Sequence, residues 1–117
     1  MGLSRLTDQS TLTEVLGLPL VLLYKHSSRC WSSYVAHKQV KEFAENQPDL
    51  PVFLIDVIRD RPLSKTIASE LQVRHESPQV IFVKDGIAQW DSSHYMVTRE
   101  ALLQQLTSLN ANSDAIL

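Results

Sequence analysis

The chain has 117 residues, 44% of them apolar, a formal net charge of −2 and a single cysteine. That length suits one domain burying on the order of two-thirds of its unfolded surface. One cysteine excludes an internal disulfide, a CxxC couple and a multi-cysteine zinc site, and the near-neutral charge excludes a general pull toward nucleic acid or anionic lipid.

In chain order, the opening Met-Gly-Leu-Ser-Arg-Leu-Thr has no signal-peptide core, and Leu6 stands where a myristoylation motif needs Ser or Thr. A cytoplasmic protein is expected, which suits a free thiol. Thr11 and Glu14 have capping-box spacing and Gly17 is a stop, so Thr11 to Leu16 is predicted as a short first helix. Leu16 to Tyr24 is the longest apolar run, broken by Pro19 and about half the ~20 residues of a membrane span. Within it, Leu18 to Tyr24 reads as a strand buried on both faces. His26 to Cys30 interrupts the run, and Ala36, Val40, Phe43 and Ala44 then recur at helical spacing, giving a helix from Trp31 to about Asn46.

Val52 to Ile58 reads as a second buried strand, and Asp60 with Pro62 starts a helix whose apolar face is Leu63, Ile67, Ala68 and Leu71. Val80 to Val83 is a third strand. Asp85-Gly86 is a two-residue hairpin signal that turns the chain into a fourth, Ile87 to Asp91. Thr98 caps a last helix carrying Leu102, Leu103, Leu106 and Leu109 on its inner face. The expected fold is α/β and thioredoxin-like: a mixed four-stranded sheet flanked by helices on both faces. It occupies residues 1–110, and residues 111–117 read as a flexible C-terminal tail.

Cys30 falls between the first buried strand and the helix after it. The first N–H groups of a helix have no intrahelical partner and carry positive partial charge, so they favour a thiolate. Such positions lower a cysteine pKa from about 8.5 to roughly 3.5–7.5. A structural cysteine would lie on an apolar stripe; this one lies between Ser28, Arg29 and Ser32, Ser33. Arg29 and Lys25 are expected to favour the thiolate further. Ser33 stands one helical turn on, where its hydroxyl can donate to the thiolate or simply satisfy backbone groups. Pro78, after Ser77 and before the third strand, is a candidate cis proline. In a thioredoxin-like arrangement it would face the cysteine and leave the Ser77 backbone to pair with an extended substrate segment.

These features resemble the thioredoxin superfamily and, more closely, the monothiol bacilliredoxins, the YtxJ-like family. The resemblance rests on Tyr24-Lys-His-Ser-Ser-Arg-Cys-Trp-Ser-Ser33, Asp60-Arg-Pro-Leu-Ser64, His75-Glu-Ser-Pro-Gln-Val80, Lys84-Asp-Gly86 and Ser93-His94. It implies a stress-response enzyme of thiol–disulfide exchange that removes bacillithiol, a cysteinyl glucosamine-malate thiol, from protein mixed disulfides. Cys30 matches the nucleophile, Ser33 the CxxS serine and Ser77-Pro78 the cis-proline loop. Trp31, Arg29 and His26 are further candidate substrate contacts. No bound cofactor is expected; bacillithiol is the co-substrate, bacillithiolated proteins the clients, and a monomer or weak dimer the expected state.

One departure concerns Trp31, which stands where the family usually has proline; its N–H is a restored donor and its bulk could occlude the substrate groove. The carboxylate that dithiol thioredoxins bury at the end of the first strand is also missing, with Tyr24 or Lys25 near its place. Arg29, Lys25, Arg59, Arg61 and Arg74 are candidate anchors for the malate carboxylates, against the plainer reading of solvated surface charge. Two other functions stay open: a redox-inactive binding module, with Trp31 crowding the groove, and an iron–sulfur carrier, against which the Gly-Phe of such sites is absent. His26, His37, His75 and His94 lack a compact zinc spacing, so no metal ligand is assigned. His94 is expected to make a structural hydrogen bond, and Tyr34, Trp90 and Tyr95 to pack in the core or at its rim.

Overall fold

The computed structural model describes residues 2–116, with side chains through residue 111. Among these residues the sheet has five strands, in the order β1-β3-β2-β4-β5. They are β1 (Leu3–Arg5), β2 (Leu20–His26), β3 (Val52–Asp56), β4 (Gln79–Lys84) and β5 (Ile87–Ser93), and the helices are α1 (Gln9–Leu16), α2 (Trp31–Glu45), α3 (Arg61–Leu71) and α4 (Arg99–Ile116). β3 pairs in parallel with both β1 and β2, while β2–β4 and β4–β5 are antiparallel. The mixed sheet is therefore as expected, with one strand more.

The extra strand has a physical reason for escaping the sequence pattern. β1 is three residues long at the sheet edge, and Ser4 and Arg5 are exposed. Nothing in Leu-Ser-Arg alternates for long enough to announce a strand; pairing of Leu3 with Val52 and Arg5 with Leu54 creates it. The first helix is also corrected. It begins at Gln9, capped by Asp8, whose Oδ1 accepts from the Thr11 N–H at 2.8 Å. The acidic cap lies three residues before the expected start, and Thr11 is the residue it caps rather than the cap itself.

β2 shows why a strand buried on both faces reads as an unbroken apolar run. Leu22 and Tyr24 face α2 and α4, joining Ala36, Val40, Phe43, Phe82, Leu102 and Leu106. Val21 and Leu23 face α1 and α3, joining Leu12, Val15, Leu63, Ile67, Ile81 and Val83. Asp85 and Gly86 both take positive φ, 51° and 80°, as a two-residue primed hairpin turn needs. A register shift between Phe82 and Val83 lets β5 set Trp90 opposite Phe82, their rings 6.0 Å apart. Thr98 caps α4 as expected, its Oγ1 accepting from the Ala101 N–H at 3.1 Å. The backbone of α4 continues to Ile116; the side chains of the expected tail beyond residue 111, and Leu117 altogether, lie outside the described residues.

Candidate active site

Cys30 is the N-cap of α2, with extended backbone at φ −116° and ψ 123°. The loop before it is fastened to the helix's first turn from several sides. The Ser27 N–H donates to Ser33 Oγ at 3.1 Å, the Tyr24 hydroxyl donates to the Ser33 carbonyl at 2.9 Å, and the Tyr34 hydroxyl donates to the Ser28 carbonyl at 3.1 Å. Cys30 itself donates its N–H to the Ser27 carbonyl at 3.2 Å. A half-buried thiol thus rides on a short loop whose polar groups are tied down.

The hydroxyl nearest the sulfur is that of Ser32, with Sγ and Oγ 2.9 Å apart. This contact holds the Cys30 pKa below the ordinary thiol value, and the Ser33 and Ser32 N–H groups assist against a modest desolvation cost. Neither forms a full capping bond to the side chain. The hydroxyl of the expected donor, Ser33, makes the smallest contribution; it is fully buried and accepts the Ser27 N–H. Arg29 and Lys25, expected to act on the thiolate, are not among the groups that shift it. Ser32 was missed because a search one helical turn ahead skips it, although a cap side chain normally looks toward the second and third helical residues.

The Ser77–Pro78 peptide is cis. The Pro78 carbonyl accepts from the His94 N–H at 2.9 Å, and His94 Nε2 meets Glu76 Oε2 at 3.0 Å, so the structural bond expected of His94 ties the proline loop to a 3-10 turn, His94–Met96. That turn packs against α2. The two elements expose apolar side chains, an apolar ledge of Trp31 (73%) and Tyr34 just after the nucleophile in the chain, and Tyr95 and Met96 on the turn that packs against α2. Trp31 is held at the surface, its ring 6.2 Å from that of Tyr34.

Arg29 and Ser77 line a cleft of about 360 Å³ with Arg61, Ser64, Lys65 and His75. The cleft brings the cysteine loop, the proline loop and the start of α3 to one place. Of the expected anchors, Arg29 and Arg61 line it, and Lys65 joins them unforeseen. Arg59 and Arg74 instead lie against Asp56 (4.0 Å) and Glu76 (3.8 Å). Lys25 is fully buried, its Nζ 3.1 Å from Nδ1 of the cleft-lining His75. Burial pulls its pKa down to about 8.

His26 lies on the opposite face of β2, its Nδ1 2.8 Å from the Tyr24 hydroxyl. Its ring packs with Tyr34 and His37, and burial followed by the His37 charge lowers its pKa. The Tyr24 hydroxyl is pushed well above the ordinary phenol range, first by burial and then by the Cys30 thiolate. Among the described residues no three His, Cys, Asp or Glu side chains converge to hold a metal, and no helix is long and apolar enough to cross a membrane.

Residues 3–102 match the family described as monothiol bacilliredoxin. Among solved structures, a candidate oxidoreductase with a thioredoxin fold is 28% identical and superimposes with a TM-score of 0.80 over 87% of this chain and 91% of its own. A point-mutant thioredoxin from Halobacterium salinarum NRC-1 is 20% identical, with a TM-score of 0.75 over 92% of this chain and 89% of its own. The thioredoxin from Trypanosoma brucei brucei is 13% identical, with a TM-score of 0.77 over 93% and 91%. These last two show the shared fold.

Proposed function

The chain belongs to the monothiol bacilliredoxin family, and from that premise we propose that it is a one-cysteine thiol–disulfide oxidoreductase that removes bacillithiol from protein mixed disulfides. The observation that carries the reading is Cys30 at the N-cap of α2, its sulfur 2.9 Å from the Ser32 hydroxyl and its pKa lowered. A thiolate is the attacking species in exchange, and one stabilised by fixed donors is also the better leaving group.

In the first step the Cys30 thiolate attacks the bacillithiol sulfur of the mixed disulfide. The new Cys30–bacillithiol S–S bond forms as the old one breaks, and the client departs as a thiolate that takes a proton from solvent. In the second step a free low-molecular-weight thiolate attacks that same bacillithiol sulfur. Cys30 is released, and the two electrons delivered to the client are balanced by one low-molecular-weight disulfide. Ser32 and Ser33 act around the sulfur, the first by donating to the thiolate and the second by holding the loop. Trp31 and Pro78 form the client side and Arg29 the small-thiol side, with Ser77 between them, and His26 orients the loop through Tyr24.

The test is a client protein carrying the bacillithiol adduct, followed by intact mass. Wild type should strip the adduct and pass transiently through a labelled Cys30. If Cys30→Ser strips it equally fast, the reading is wrong. A binding module with the same fold would instead leave the adduct in place and show a Cys30 that alkylates no faster than an ordinary thiol.

A further inference from the structure

Lys25 is fully buried, yet no carboxylate lies within ion-pair distance of it among the described residues. Its ammonium meets the His75 ring at 3.1 Å, and that ring lies 3.3 Å from the Ser64 hydroxyl. Opposite Lys25 in register is Gln79, also buried, whose Nε2 donates to the Arg74 carbonyl while its Oε1 has no partner. Buried polar groups in native proteins are nearly always satisfied, and a buried charge is normally paired. The incompletely partnered cation thus meets His75, which lines the cleft with Ser64, and the incompletely partnered amide pairs with Lys25 across the sheet.

The rim has the same sign. Arg29, Arg61 and Lys65 line the cleft, and no Asp or Glu does. Of the acids close by in the chain, Glu76 pairs with His94 and Arg74 while its charge also reaches His75, Asp60 pairs with Arg5 at 3.0 Å, and Asp56 accepts from the Ile58 and Arg59 N–H groups at 3.0 Å. In a chain of net charge −2 this is a local excess of positive charge, set in a half-open cleft that Val57 and Ile58 also line. Clefts lined by one sign of charge focus the field and raise the local concentration of the opposite ion. About 360 Å³ falls within the range of small-molecule sites.

We propose that this cleft binds the carboxylate end of the low-molecular-weight thiol whose sulfur reacts at Cys30. Arg61 and Lys65 grip the carboxylate at the rim, and the Lys25–His75 pair supplies positive charge from the floor. The inference rests on the exchange reading above and adds what that reading lacks: a place for the part of the small thiol that does not react. Arg29 and Ser77, the chain neighbours of Cys30 and Pro78, line the cleft and so link it to the sulfur. The shared chemistry is a carboxylate, which bacillithiol and glutathione both carry.

The first experiment compares the rate at which Cys30 forms mixed disulfides with dithiodipropionate, a dicarboxylate, and with bis(2-hydroxyethyl) disulfide, its neutral counterpart. Each ratio is normalised to that of free mercaptoethanol. Wild type should favour the dicarboxylate by about tenfold or more. Arg61→Ala/Lys65→Ala should bring the ratio near unity, as should high salt in wild type. No preference in wild type, or a preference that survives the double substitution, overturns the proposal.

The second experiment needs no exchange. Millimolar succinate added to the Cys30→Ser protein should shift the backbone amides of Arg29, Arg61, Lys65 and Ser77, and butane-1,4-diol should not. Unmoved amides overturn the cleft while leaving exchange at Cys30 standing; moved amides with a Cys30 that exchanges with neither disulfide retain the cleft and overturn the redox reading. Bacillithiol disulfide and glutathione disulfide then separate the sources. Faster reaction of either than of the neutral disulfide supports the proposal and names its ligand, and equal slowness of both counts against it.

Discussion

The apolar ledge and the basic cleft adjoin the same nucleophile and could hardly differ more. Trp31, Tyr34, Tyr95 and Met96 stand out from α2 and a 3-10 turn, with the His26 ring packed against Tyr34. Arg29, Arg61 and Lys65 ring a cleft over a buried ammonium. A broad apolar surface suits a folded client, and a small cationic site suits a small anion. On the proposed exchange one sulfur serves two kinds of partner in succession, which would account for both surfaces, and a protein with an internal resolving thiol would have less use for the second.

The division can be attacked at its centre first. Cys30→Ser should reduce exchange with protein and small disulfides alike to the uncatalysed background, measured by intact mass. Activity retained on either side would mean that the two surfaces do not share a nucleophile.

Lys25→Met comes next and should act on the cleft alone. The fold holds the Lys25 pKa near 8, below its ordinary 10.5, so the folded state binds fewer protons between those values. The cost of burying the charge is therefore complete below pH 8 and shrinks as pH rises toward 10.5. An apolar side chain of similar shape should stabilise the protein by about 2–3 kcal/mol at pH 7, seen in denaturant midpoints, and should remove the rise in stability across that interval. It should also weaken the dicarboxylate preference, and slow exchange with a bacillithiolated client whose carboxylate end enters the same cleft. A less stable Lys25→Met protein would show that the buried ammonium has a partner stronger than His75.

Ser32→Ala should slow both partners equally. Without its nearest hydroxyl the Cys30 pKa rises, so iodoacetamide alkylation at pH 7 should fall several-fold and its pH inflection move upward. An unmoved inflection would assign the stabilisation to the helix N–H groups alone. The smallest effect on the fold is expected at the ledge: Trp31→Ala should change stability by no more than about 0.5 kcal/mol while slowing exchange with a protein client and sparing small disulfides. Equal slowing of both would make the ledge part of the chemistry rather than a client surface.

The two regions also differ in how far they can be read without coordinates. Trp31 and Tyr34 follow Cys30 in the chain, and a helix start after a strand already places them beside the thiol. The paired apolar runs of β2 and β4, the Asp85-Gly86 turn and the proline loop are similarly local signals. The cleft is not local: Lys25, Ser64, His75 and Gln79 come from β2, α3, the segment after it and β4, and only the closed sheet brings them together. Read singly, Lys25 is a cation near Cys30; its burial inverts that expectation, because the ammonium points to His75 and leaves the thiolate to Ser32. Lys65 was passed over for a similar reason, since an exposed lysine on a helix gives no sign of which neighbouring element it overlooks. Ser32 and Asp8 were missed at a finer scale, where shifting a cap by two or three residues decides which side chain meets the helix end.

The buried hydroxyl of Ser33 has a consequence for how this fold could change. It occupies the position where a second thiol would make an internal disulfide with Cys30, and its oxygen accepts the Ser27 N–H at 3.1 Å. Sulfur is a weak acceptor and a larger atom. A Ser33→Cys descendant would therefore acquire a resolving thiol by loosening the loop that presents the first one. The one-cysteine design is written into the scaffold of the loop, and a two-cysteine successor would need to rebuild that support before the new sulfur became useful.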